Sequence, residues 1–570
     1  MPNRRASFEF HVLIAKNWTV RDLFDDEAAA KRAAEQELSA GRVEGVRVIR
    51  VWQRADGAHT EKVVHEQLGA AKPLHDVRIV PIESAPFCRD EADLLSAESL
   101  AAMGRLYRKY LDEVCLTPAE VLHLEREYKR IWDTESIVPA GVDRVATIQT
   151  RGTDLNAKTR GEEIYRILES IGARALRCAR RRSLPKEVAG SLGEVLAAVS
   201  REAEDELDGR FSATVVLARD LVQRRDWIAK LDRLGELIAR ETDAAALAIL
   251  DGVTAQAFGC REVMQDALGP QPNLAGALLR MADLLSGAPQ AEFDAALPRC
   301  EVFSAALRGG RLPTLHATLK DRFVRQLAGP GELARNDASQ ERPCFRKLAN
   351  CVVAATAVQG GAETAEALLS RAGLFIVEGG VTGRKLALRH LLGALNTPAC
   401  RMRLLRTLDE SLKTEPEVRV AAFEAIRTMI LSAGSVTVFA PGADPVAPLA
   451  AAADLCRWLA AAFPPKPAAP LIAHLDDLSA RHLVRERIIE RMDRPDLPLA
   501  ERAILLLNFV LSGILTDGKA SAMAREHIRE HLKRPDFVEA FAAGCGNAAD
   551  CERRLRDFHV LLARAGFPRG

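Results

Sequence analysis

Three stretches of this chain carry side chains whose types and spacing could do chemistry. His527 and His531 stand four apart, with Glu530 between them. On a helix that spacing puts both imidazoles on one face, as metal ligands would be. A Zn²⁺ held there would activate water, with Glu530 as base; spacing alone assigns no third, acidic ligand. The second stretch is Leu374-Phe-Ile-Val-Glu-Gly-Gly-Val-Thr-Gly-Arg-Lys385. It predicts a short apolar strand, a turn carrying Gly380 and Gly383, then a helix with Lys385 near its start. Free backbone N–H groups and the helix dipole at such a turn favour phosphate. The pattern departs from GxxxxGK[ST]: the glycines are too close, Arg384 intervenes, and Leu386 replaces the metal-binding hydroxyl. The plainer reading is a tight inter-helix connection with glycines at positive φ. The third stretch puts Arg174, Arg177 and Arg181 on one helix flank, beside a stripe of Ile164, Leu168, Ile171 and Ala175. That flank could hold a nucleic-acid backbone or an acidic partner. The favoured reading is a solvated flank paired with acids of the 202–206 stretch.

The elements that must position these groups are helices. Between Thr382 and Ser432, three apolar stripes recur near a 3.6-residue period: Leu388, Leu391, Leu392 and Leu395; Leu404, Leu405, Leu408 and Leu412; Val418, Ala421, Ala422, Ile426 and Ile430. Thr397-Pro398 supplies an N-cap and a proline at the first helical position, and Pro416 marks the next start. Links this short imply antiparallel neighbours that bury their stripes on each other.

Composition narrows the function classes. The 79 basic and 78 acidic residues give a net charge of +1, which makes no whole-chain case for nucleic acid or an anionic membrane. Eleven cysteines are scattered without a CxxC or a zinc-spaced Cys/His cluster, which predicts reduced, mostly buried thiols in a cytoplasmic protein. The start, MPNRRASFEF, lacks a signal-peptide core, and no run of 18 apolar residues suggests a membrane span. No serine nucleophile elbow occurs, and nothing calls for a cofactor.

The fold class expected is mainly α, a helical-repeat-like or multi-bundle body behind a small N-terminal β-α-β-β module. The module is placed at 1–66: a strand from Phe8, a helix from Asp25 to Ser39 stopped by Gly41, a strand at 46–52, a turn at 55–57, and a strand at 59–66. Its core is thin for its size, so it is expected to dock or to form a homodimer. A linker follows at 67–95, with an extended piece from Val77 to Ile82, then a helical domain at 96–182, where helices at 96–113 and 118–132 are expected. A helical array at 183–434 begins with a long helix from Pro185 to Leu207. A Pro/Ala/Gly-rich link at 435–470 separates it from a C-terminal helical domain at 471–570.

The helix Pro416-Glu-Val-Arg-Val-Ala-Ala-Phe-Glu-Ala-Ile-Arg resembles a HEAT-type repeat helix, a likeness covering about 382–432. It implies a stacked helical surface that binds partners. The order His-x-x-Glu-His at 527–531 is that of inverzincin hydrolases. The N-terminal layout resembles modules of uncharacterised bacterial proteins, which implies no function. The reading that follows is a non-enzymatic cytoplasmic scaffold with a protein partner. A zinc hydrolase using the HxxEH stretch and a nucleic-acid-binding helical-repeat protein stand as alternatives.

Overall fold

The computed structural model describes residues 6–14, 17–39, 45–53, 59–68, 79–134, 136–224, 226–286, 298–335, 337–442, 444–543 and 547–567. It is mainly α-helical, with one small sheet at the N-terminus. That sheet is antiparallel and ordered β2-β1-β3-β4: β1 Ala6–Ile14, β2 Asn17–Phe24, β3 Gly45–Gln53 and β4 His59–Leu68. The module is therefore β-β-α-β-β, one strand more than expected. In β2, Trp18, Val20 and Leu23 lose strict alternation because the pairing shifts between Phe10 and His11. The helix Glu27–Ser39 starts where Asp26 accepts the Ala29 N–H at 2.8 Å. Its Ala30 and Ala34 pack on Phe8, Phe10, Val12, Val46 and Val48, which make up the module's core. Gly41 and the 55–57 turn lie outside the described residues.

Much of the expected linker is packed structure. Ile82 and Cys88 are buried, and the Val80 N–H bonds the Leu106 carbonyl at 2.8 Å. The expected helix at 96–113 divides into Ala97–Leu106 and Arg108–Val114, and that at 118–132 into Pro118–His123 and Glu125–Trp132. Thr117 and Glu120 form a capping box at the start of Pro118–His123. No long helix starts at Pro185. Residues 185–191 are bends and irregular backbone, and Ser191 caps the helix Leu192–Ser200. Buried Asp220 holds the Val188 N–H at 3.0 Å, so a tertiary bond outweighs the local helical pattern.

Helix hairpins organise the middle of the chain. Ala362–Gly373 pairs with Gly380–Ala394, Pro398–Leu412 with Pro416–Leu431, and Ala447–Ala462 with Pro465–Arg485. In the first two hairpins, first helix packs on first and second on second. The second helices of the last two hairpins also touch. The supposed link at 435–470 is thus largely helical. Pro464 is the N-cap, and Pro465 and Pro467 fall in the first turn, where a missing N–H costs nothing; Pro470 lies in the helix interior. Leu455, Cys456, Leu459, Leu471 and Leu475 belong to the main core, whereas Leu449 and Leu483 belong to the C-terminal core.

Helices in this body are tied end to side by buried polar groups. Asp251 accepts the Thr314 and Leu315 N–H groups at the start of Pro313–Ala328. Arg371, 1% exposed, donates to the Gln326 and Leu327 carbonyls at that helix's end and to Gly331. Asp476 meets the Lys519 and Ala520 N–H groups, and Glu241 meets that of Gly193. All but the Gly331 bond supply a partner to a backbone group that its own helix leaves unpaired.

One such tie is an ion pair. Lys230 Nζ lies 2.5 Å from Glu120 Oε1 and 2.6 Å from the Cys115 carbonyl, with both side chains out of solvent. Burial pushes the Glu120 carboxyl up, while Lys230 and Thr117 pull it down. Lys230→Met is expected to cost about 3–5 kcal/mol in urea unfolding, because it strands Glu120. Adding Glu120→Gln should recover part of that loss. Nearby His123 is fully buried, its Nδ1 2.8 Å from the Ala119 carbonyl, and burial pulls its pKa from 6.5 to about 4. The unfolded chain takes up this proton first. Stability from His123 is therefore full above about pH 6.5 and falls by about 3 kcal/mol toward pH 4. His123→Phe should flatten that part of a stability–pH profile.

Candidate functional site

The turn from Leu374 to Lys385 is the candidate site, and it differs from the phosphate cradle its sequence suggested. No strand forms; the segment joins Ala362–Gly373 to Gly380–Ala394 as an irregular hairpin tip. Gly380 has φ of +62°, as the plainer reading required. Gly383 has a different task. A Cβ there would lie 1.9 Å from the Glu378 carbonyl oxygen, so only glycine lets the tip fold back this tightly. That carbonyl fills the space beside Gly383 and presents negative charge, which disfavours a phosphate. Lys385 is also engaged, 2.6 Å from Glu417.

The tip is anchored on one side and bare on the other. Phe375 packs on Phe345 and His390, with ring centroids 5.3 and 5.2 Å apart, and Arg342 lies over its ring. Burial and the Arg342 charge hold His390 below its ordinary pKa. Arg384 braces the base, 2.7 Å from Glu366 on the opposite helix and 2.8 Å from Glu415 at the next hairpin. Glu415 is free for this because its side chain does not cap Pro416–Leu431. Outward, Leu374, Val377 and Val381 are exposed, Val377 at 99%. Beyond Phe345, on the same helix Glu341–Val352, an open groove of about 540 Å³ is lined by Arg346, Lys347, Asn350, Cys351 and Asn396, with Leu279 and Pro343.

The other candidate residues serve the fold. His531 is buried, its Nε2 2.8 Å from Asp493 Oδ1, and Arg502 Nε approaches the same oxygen at 2.6 Å. Burial opposes the Asp493 charge, but Arg502 and His531 outweigh it and hold the carboxyl below its usual range. A cation would therefore have to displace a guanidinium. His527 is half-exposed and its Nδ1 lies 3.8 Å from Glu530, beyond hydrogen-bond reach. Among the described residues, no group of three or more His, Cys, Asp or Glu side chains is placed to hold a metal ion.

The arginine flank separates likewise. Arg174 is buried between Glu91 at 2.8 Å and Asp208 at 3.3 Å. Arg181 meets Glu202 at 3.1 Å and the Ser212 hydroxyl at 3.2 Å. Arg177 is exposed. The 202–206 stretch thus contributes one acid, Glu202 on Arg181, but the flank is not solvated throughout, since Arg174 is buried on Glu91 and Asp208. Sequence reasoning missed the apolar tip itself. Its signal was four apolar residues in a row, Leu374 to Val377, which the strand reading buried.

Arg384→Met should release the brace and raise amide exchange across 374–383 about tenfold, or about 1.4 kcal/mol of local opening. Exchange in Pro398–Leu412 should stay as it is; a rise spread over both would mark a global loss instead.

In comparison with known proteins, no family model matches the chain, and neither does any curated protein or solved structure.

Proposed function

We propose that the chain is a non-enzymatic scaffold or regulatory protein that presents its helical body to a protein partner, with the 374–381 tip as the point of contact. The observation that carries this reading is Val377, 99% exposed beside Leu374 and Val381 on a braced hairpin tip. Apolar side chains held out together on a rigid support suit burial in an interface. Stacked hairpins are consistent with the HEAT-like reading of 382–432, since such arrays offer extended binding surfaces. The hydrolase and nucleic-acid readings receive no such support, because His531 is spent on a hydrogen bond to Asp493 and Arg174 and Arg181 on internal ion pairs. A cytoplasmic setting fits the nine free cysteines among the described residues. Among those residues no helix is long and apolar enough to cross a membrane.

The test is affinity capture of the tagged full-length protein from the cells that make it, beside a Leu374→Asp, Val377→Asp variant. A recurrent protein partner should be retained by the native sequence and reduced at least about tenfold by the variant, with the thermal midpoint unchanged. Capture indifferent to the tip, or stoichiometric zinc in the purified protein, would sink the reading.

A further inference from the structure

Among the described residues, the N-terminal sheet is covered on only one of its faces. Register places Phe8, Phe10, Val12, Val46 and Val48 toward the helix Glu27–Ser39. The opposite face carries Leu13, Trp18, Val20, Leu23, Ile49 and Val63. Of these, Val20, Leu23 and Val63 are exposed, Leu23 at 63%. The face also holds polar groups that lack partners. His11 is 8% exposed and uses Nε2 on Glu9 at 2.9 Å, while its buried Nδ1 makes no hydrogen bond. Arg47 stacks over Trp18 at 4.5 Å, and its buried Nε is likewise unbonded. Buried polar groups left this way cost about 1–3 kcal/mol each, so an incoming acceptor for Arg47 Nε, or a donor for the Nδ1 of a neutral His11 whose Nε2 serves Glu9, would be favoured.

We infer that this open face is a homodimer interface, which packs on the same face of a second copy as a two-sheet sandwich. Area supports this occupant. Four strands about 4.8 Å apart, each rising about 3.3 Å per residue, give a face of roughly 600 Å². Two such faces bury roughly 1,200 Å², where specific interfaces begin. Arg47 sits on the face among Glu9, Glu61 and Glu66, so a two-fold contact can set the guanidinium of each copy against a carboxylate of the other. The sandwich doubles a core that otherwise rests on seven buried side chains. This inference is independent of the tip.

The test is sedimentation equilibrium of the full-length chain at micromolar concentration. The mass expected is twice the 62.2 kDa of one chain. Leu23→Glu with Val63→Glu should raise the dissociation constant at least about 100-fold. The helical circular-dichroism signal should stay unchanged, since both positions lie on the open face. A photo-crosslinking phenylalanine analogue at Val20 should join two chains through β1–β4. A monomeric native protein, a dimer indifferent to the double variant, or cross-links to the helical body of the same chain would each overturn the inference.

Discussion

Every helix leaves backbone groups unpaired at both ends, and here neighbouring helices supply many of the missing partners. Carboxylates meet starts: Asp251 at Pro313–Ala328, Asp476 at Lys519–Leu532, Glu241 at Leu192–Ser200. Guanidiniums meet ends: Arg371 at Pro313–Ala328, Arg311 at the Glu241 carbonyl past Trp227–Arg240, Arg419 at the last residue of Ala447–Ala462. The signs follow the helix dipole, positive at the start and negative at the end. A charge therefore contributes twice, once to the backbone it pairs and once by fixing which helix lies beside which. Greasy stripes alone would let the helices slide past one another; these bonds set the register.

This accounting explains what could and could not be read from the residues. Caps supplied by the helix's own neighbours in sequence are legible: Thr397 acts as expected, and Thr117 with Glu120, Ser96 and Asp26 cap their helices in the same local way. Caps supplied from elsewhere in the fold are not. Asp220 holds the Val188 N–H from 32 residues away, and nothing near Pro185 announces it. Prolines misled in the opposite direction. The run at 464–470 looked like a linker, yet most of it falls where a helix start tolerates proline. Strand β2 escaped because a register shift broke its alternation, and bulges leave no local mark beyond that break.

The candidate residues show the same split between type and placement. Helical spacing set His527 four residues from His531, but only tertiary packing buries His531 against Asp493 and leaves His527 at the surface. Arg174 and Arg181 share a flank in projection, and the neighbouring helices claim them for Glu91, Asp208 and Glu202. At the tip, composition was read correctly and direction was not. Four consecutive apolar residues suggest burial, and Phe375 does turn inward, but Val377 points out on a support that Gly383 and Arg384 hold closed.

The hairpin Ala447–Ala462 with Pro465–Arg485 contributes side chains to the main core and to the C-terminal core alike. Neither core can lose this hairpin without exposing the other. The two should therefore melt as a single cooperative unit, in one calorimetric peak where a flexible tether would give two. A protease would find little to cut between 447 and 485 while the fold persists, and dividing the gene at 470 would leave both halves with an open hydrophobic seam.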